Sequence, residues 1–258
     1  MKTGNRTRRS SLCERMEFRL PKSWGELTQQ QLRKVIRIMR MFDGMPFSTI
    51  CVQAMMYFLD VEVDRRTDAG FLCKERPTGK VFILDPRLLP SMAEEMAWME
   101  HPEEMTLRIE QWDGHKAVDF ELQELPFGEY LVTENYYQAF LKTHDSKHLD
   151  AMARILYRVP EDDAPKEDEE LMLGVFLWMT AVKRLLAERF PNYLRPASGT
   201  DTSVGSMQDT TLAQIRLLTG GDVTKNDYVL RKTDTWTALA ELDAKAREAE
   251  EIRRKYGK

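Results

Sequence analysis

The chain has 258 residues, 42% of them hydrophobic and 31% charged, with a formal net charge of −4. That is enough for one large domain or two small ones with a sizeable core, and it carries no global bias toward nucleic acid or membrane. Three cysteines, Cys13, Cys51 and Cys73, lie far apart without a C-x-x-C spacing, which excludes a disulfide framework or a self-contained zinc site and favours a reducing cytosol.

Residues 1–16 read as a flexible basic tail. Its opening MKTGNRTRRSS is not followed by the apolar stretch of a secretory signal, and no apolar run approaches the roughly 20 residues that span a bilayer. The fold proper starts at LPKSWGELTQQQLRKVIRIMRMF. Thr28 and Gln31 have the spacing of a capping box, Leu27 and Leu32 that of a hydrophobic staple, and Leu32, Val35, Ile36, Met39 and Phe42 recur at helical spacing. Gly44 ends this helix, and a second runs from Pro46 to about Asp60 with Phe47, Ile50, Cys51, Met55 and Phe58 inward, making an α-hairpin.

Residues 61–122 change character. GFLCKERPTGKVFIL has a β-hairpin signature over 70–84, and TLRIEQWDGHKAVDFEL repeats it over 105–122 around Asp113-Gly114, the chemistry of a type I′ turn. The four short strands predict one small antiparallel sheet between helical layers, with a helix in the second half of DPRLLPSMAEEMAWME between the hairpins. Helices then follow from Pro126, the second capped by Asp145. An acidic stretch, EDDAPKEDEE, leads into the N-terminus of LMLGVFLWMTAVKRLLAERF, expected as the central core helix. A polar loop over 191–206 precedes helix MQDTTLAQIRLL, Gly220-Gly221 and a last charged helix. The expected fold is therefore mainly α with a small antiparallel β insert (α+β), a helical-bundle core and an extended C-terminal helix. The expected units are a tail (1–16), a mainly helical domain (17–219) and a C-terminal helical segment (220–258).

No catalytic motif emerges. Gly220-Gly221 follows a helix and meets neither phosphate-loop spacing, so it reads as a helix stop, with Thr224 and Asp227 as a cap box for the next short helix. His144 and His148 are four apart, but Asp145-Ser146 between them reads as a helix start, which takes the imidazoles off a shared face. His101 and His115 read as surface loop residues. Glu94-Glu95 and Glu103-Glu104 read as solvated charge, and Tyr130, Tyr136, Tyr137 and Phe140, beside Glu129 and Glu134, as core or protein contact rather than a base-stacking platform. These readings point to a non-enzyme with no catalytic, cofactor-binding or metal-binding residues.

The last helix is the feature that does not look like core. Trp236, Leu239 and Leu242 anchor its start, and its inner positions then shrink to Ala246, Ala249 and Ile252, while Glu241–Lys245, Glu250–Arg254 and Glu251–Lys255 form i,i+4 pairs. These six apolar positions are the candidate partner-binding residues. Deleting 236–258 is expected to weaken a complex and leave the core folded.

Two stretches carry a resemblance. Leu20, Pro21, Trp24, Glu26, Leu27 and Thr28, then Gly128, Glu129, Tyr130, Tyr136, Tyr137, Leu156, Tyr157 and Arg158, are similar to an opening and a middle block of proteins from tail gene clusters of Bacteroides-group phages and prophages; residues 220–247 resemble the closing helix of that family. The resemblance implies a cytoplasmic tail assembly chaperone for the helical tape-measure protein. The chain departs from the simplest such chaperones in its length and β insert, which leaves a minor structural component of the tail or connector as an alternative. From the residues alone, a nucleic-acid contact through Arg6, Arg8 and Arg9 is a further alternative.

Overall fold

The computed structural model describes residues 20–194 and 207–256. The expected basic tail and the 191–206 loop from residue 195 onward lie outside the described residues. Within them the chain is mainly helical with two small antiparallel sheets, an α+β fold as expected.

Helix α1 (Gln29–Met41) starts where its local chemistry dictates. The Gln31 N–H donates to Thr28 Oγ1 at 3.3 Å and the Thr28 N–H to Gln31 Oε1 at 2.9 Å, so two otherwise orphaned donors satisfy each other's residues. Leu27 and Leu32 flank this cap and are both buried. Gly44, at φ +78°, reverses the chain into α2 (Phe47–Phe58), which stops two residues short of the expected Asp60. Asp60 instead takes a left-handed conformation (φ +52°) and turns the chain into a strand.

The β region differs from the single four-stranded sheet expected. Strands β1 (Val61–Thr67), β2 (Gly70–Glu75) and β3 (Val81–Leu84) form one antiparallel sheet in the order β1-β2-β3. The 70–84 hairpin is present, but β1 was not foreseen. Its sequence, VEVDRRT, buries only Val61 and so lacks an alternating apolar face. Helix α3 (Leu89–Glu95) follows the sheet. The second hairpin contracts to β4 (Gln111–Trp112) and β5 (His115–Lys116), a separate ribbon turning through Asp113 and Gly114, both at positive φ. The flanks of this hairpin give their backbone groups to the rest of the protein. Gln29 holds Arg108 O (2.9 Å) and Glu110 N (3.1 Å), the Tyr157 hydroxyl donates to Ile109 O (2.6 Å), and the Val118 N–H donates to Leu156 O (2.8 Å). A longer ladder would have to break these bonds.

Helices α4 (Phe127–Thr143), α5 (Ser146–Leu156) and α6 (Glu169–Arg189) build the body with α1. As expected, α6 is the central helix: Leu171, Val175, Trp178, Met179, Val182 and Leu186 are all buried. Its start carries two roles for the acidic stretch. Asp168 caps the helix by accepting the Leu171 N–H at 2.8 Å. Asp168, Glu169 and Glu170 also face Arg33, Arg40 and Arg37 of α1, with Arg33–Asp168 at 2.9 Å and Arg37–Glu170 at 2.5 Å. At Gly174 a Cβ would lie 2.9 Å from Ile109 Cδ1, so the missing side chain lets the 105–110 segment sit close on α6.

All five tryptophans tie irregular chain to this body through their indole N–H groups. Trp24 donates to His101 O, Trp98 to Pro21 O, Trp112 to Lys166 O, Trp178 to Phe120 O and Trp236 to Glu121 O, at 2.7–3.0 Å. Each ring fills core volume while its one polar atom is satisfied by a main-chain carbonyl outside the α-helices and sheets.

After α7 (Met207–Thr219), Gly220 and Gly221 both adopt positive φ, and the Gly221 N–H donates back to Arg216 O at 3.1 Å. The pair is a left-handed helix stop, as expected. The next cap is corrected by one turn position. Asp222, not Thr224, accepts the Thr224 N–H (3.0 Å), because Thr224 already lies inside the short 3₁₀ turn that leads into α8 (Asn226–Arg231). Helix α9 (Thr235–Tyr256) then begins on the body: Thr235 donates its N–H and hydroxyl to Leu125 O (2.9 and 2.7 Å), and Phe127 donates to Thr233 O (2.9 Å).

Candidate docking surfaces

An open groove of about 850 Å³ lies between the α1–α2 turn and the α4–α5–α6 face. Its floor includes Met39, Phe47, Phe140, Met172, Leu173 and Phe176, all half-buried rather than sealed. Arg40, Asp43, Lys147, Asp150, Glu167 and Glu169 stand along its rim. Helical spacing places Met172, Leu173 and Phe176 on one face of α6, where they are partly buried against the core. Phe176 is held from below by stacking on Tyr137 (5.6 Å) and edge-on by Phe140 (5.2 Å). Tyr130 and Tyr137 therefore belong to packing, while Phe140 also faces the groove. An apolar floor with two flexible methionines and a charged rim suits the apolar stripe of an amphipathic helix.

A second cleft, about 620 Å³, lies between α2, the three-stranded sheet and α3, lined by Val52, Met56, Phe71, Leu84 and Leu89 with Ser48, Thr49 and Gln53 at its edge.

The candidate residues of the last helix divide into two groups. Leu239 and Leu242 are 1% exposed and belong to the main core, where Trp236 packs against them and against Phe190 at 5.6 Å. These three face the chain's own body. Ala246 is half-buried, Ala249 exposed and Ile252 58% exposed, so an open apolar stripe exists only in the second half of α9. Asp243 fixes the helix at the point of change, accepting from Asn192 N (2.7 Å), Asn192 Nδ2 (2.8 Å) and Tyr193 N (3.0 Å). Deleting 236–258 would remove core, contrary to the expectation from sequence.

The groups with chemical potential are spread out. Burial, with Glu100 adding to it, pushes the Cys51 thiol up to about 11, and burial also raises Cys73. His144 sits at the end of α4 in a left-handed conformation and His148 in the first turn of α5, so the helix boundary separates them. His101, exposed, lies 3.1 Å from Glu103, and His115, half-buried, lies 2.9 Å from Asp163. Among the described residues no group of three or more His, Cys, Asp and Glu side chains is arranged to hold a metal ion, and no helix is long and apolar enough to cross a membrane. The groove was not legible in the sequence, because its floor comes from helices nearly 140 residues apart; the signal available was the methionine count. No protein-family model, curated protein or solved structure matches the chain.

Proposed function

We propose that this chain is a non-enzymatic assembly protein of a phage or prophage tail, working in the host cytoplasm as a chaperone that holds an apolar face of the helical tape-measure protein. The observation that carries the reading is the half-exposed Met/Phe floor of the groove over α6, an adaptable apolar surface. The resemblance of the 20–28 and 128–158 blocks to tail-cluster proteins supplies the partner. The open end of α9, with Ala249 and Ile252, is a second contact available to the same partner.

Co-expression with the tape-measure protein followed by pull-down tests this. The expected result is a soluble complex that Met39→Lys and Met172→Lys each weaken while the variants keep the wild-type unfolding midpoint. A tape-measure protein that is equally soluble without this chain, with no complex recovered, refutes the proposal. A complex indifferent to both substitutions removes the groove as its seat.

A further inference from the structure

The two edges of the three-stranded sheet are unequal. The β1 edge carries Glu62, Asp64, Arg65 and Arg66, all exposed, and a register shift between Val63 and Arg65 bends it. Charge and bulge are the devices by which proteins keep a strand edge from pairing. The β3 edge has neither: its four residues are Val81, Phe82, Ile83 and Leu84.

The hydrogen-bond phase of β3 is set by its neighbour. Glu75 N–H donates to Lys80 O at 2.9 Å, and Cys73 pairs with Phe82 and Phe71 with Leu84. Antiparallel ladders alternate, so Phe82 and Leu84 direct their main-chain groups at β2, and Val81 and Ile83 direct theirs away from the sheet. Among the described residues nothing bonds to those outward groups. The same two residues present their side chains on the face away from α2, at 57% and 52% exposure. An apolar strand with two free N–H and two free C=O groups is a template for another strand.

We infer that β3 pairs with β3 of a second copy of this chain, antiparallel about a two-fold axis at Phe82, joining the two sheets into one. In this register Val81 faces Ile83 of the second copy and Ile83 faces its Val81. Both are pairs in which the outward groups meet, so every free group of the edge is used. An axis perpendicular to the sheet keeps Val81 and Ile83 of both copies on one face, forming a continuous apolar seam. In this register Lys80 comes opposite Leu84 of the second copy at each end of the seam, so the two Lys80 ammonium groups stay apart. A parallel pairing would set Lys80 against Lys80. The assembly stops at two copies, because only the guarded β1 edges remain.

Sedimentation equilibrium of the full chain across a concentration series tests the inference. The expected result is a reversible monomer–dimer equilibrium. Ile83→Pro removes only an outward N–H, so it should weaken the dimer at least about tenfold, a difference of about 1.4 kcal/mol, with the circular dichroism and unfolding midpoint retained. Should that variant fail to fold, Val81→Lys with Ile83→Lys, both at exposed positions, decides the matter by repelling across the seam. A monomer throughout the series, or a dimer that survives these substitutions in folded protein, overturns the inference.

Discussion

Tyr157→Phe deletes one oxygen from the centre of the molecule. Tyr157 is 1% exposed, and its hydroxyl donates to Ile109 O at 2.6 Å; that carbonyl has no other partner among the described residues. The ring would stay, held edge-on by Trp112 at 6.0 Å and by Trp178 at 6.4 Å, so packing is nearly unchanged. What is lost is the satisfaction of a buried carbonyl, which costs about 1–3 kcal/mol. Tyr137→Phe is the internal comparison. Its hydroxyl meets Thr180 Oγ1 at 3.1 Å, but Thr180 also bonds to Phe176 O at 2.9 Å and keeps that bond, so the loss is at most about 1 kcal/mol. Urea unfolding should give Tyr157→Phe a destabilisation of about 2 kcal/mol with an unchanged slope, and a midpoint temperature lower by about 4–8 °C. Alkaline titration gives a second readout. Burial raises the Tyr157 hydroxyl, so the unfolded chain loses its proton first, and wild-type stability falls as pH rises from the unfolded value of about 10 toward the folded one. The variant should fall less steeply there. A cost for Tyr157→Phe no larger than that for Tyr137→Phe would refute the claim that this bond anchors the 105–110 segment.

Four further outcomes follow from the same geometry. Cys51 and Cys73 should react with an aromatic disulfide reagent at pH 8 only on unfolding, because burial holds both thiols protonated; rapid labelling of either in the folded protein would contradict this. At Asp243, burial raises the carboxyl, but the bonds from Asn192 and Tyr193 outweigh it and hold the group below the usual range. Its contribution is therefore present above the unfolded value of about 3.9 and lost as pH falls through the folded one; Asp243→Ala should cost about 1–2 kcal/mol at pH 7 and flatten the acid limb of the stability profile. Deleting 236–258 removes Leu239 and Leu242, each worth about 1.5–3 kcal/mol, together with Trp236, and should leave a chain without a cooperative unfolding transition. Deleting 247–258 takes mostly exposed residues and should move stability by no more than about 0.5 kcal/mol, measured by urea unfolding.

Local chemistry was readable where one short stretch decides the outcome. The Thr28–Gln31 box, the Asp145 cap, the Asp113-Gly114 turn and the Gly220-Gly221 stop each depend on residues within a few positions, and each forms as expected. The misses arise where distant groups compete for the same backbone. Residues 105–122 have the alternation of a hairpin, yet Gln29, Tyr157 and the end of α5 claim the groups that a ladder would need. β1 exists because β2 offers it a partner, although its own side chains favour solvent. The ion pairs of the acidic stretch were not legible because its counter-charges, Arg33, Arg37 and Arg40, lie more than 120 residues earlier.

The terminal helix shows how the two kinds of information combine. Its sequence gives a stripe that narrows, and its structure gives the reason the narrowing begins where it does. Lys245 donates to Leu217 O at 2.7 Å, near the end of α7, and Asp243 holds the end of α6. Beyond these two attachments no further element among the described residues lies under α9, and Ala249 and Ile252 are exposed. The Glu241–Lys245 and Glu250–Arg254 pairs form at 3.1 and 2.6 Å, whereas Glu251 and Lys255 do not pair. At about 0.3–0.5 kcal/mol each, such pairs sustain helical conformation near a docked end but not in an isolated segment. The helix therefore persists past its support because its first two turns are buried, and its open half inherits a fixed direction without a surface of its own.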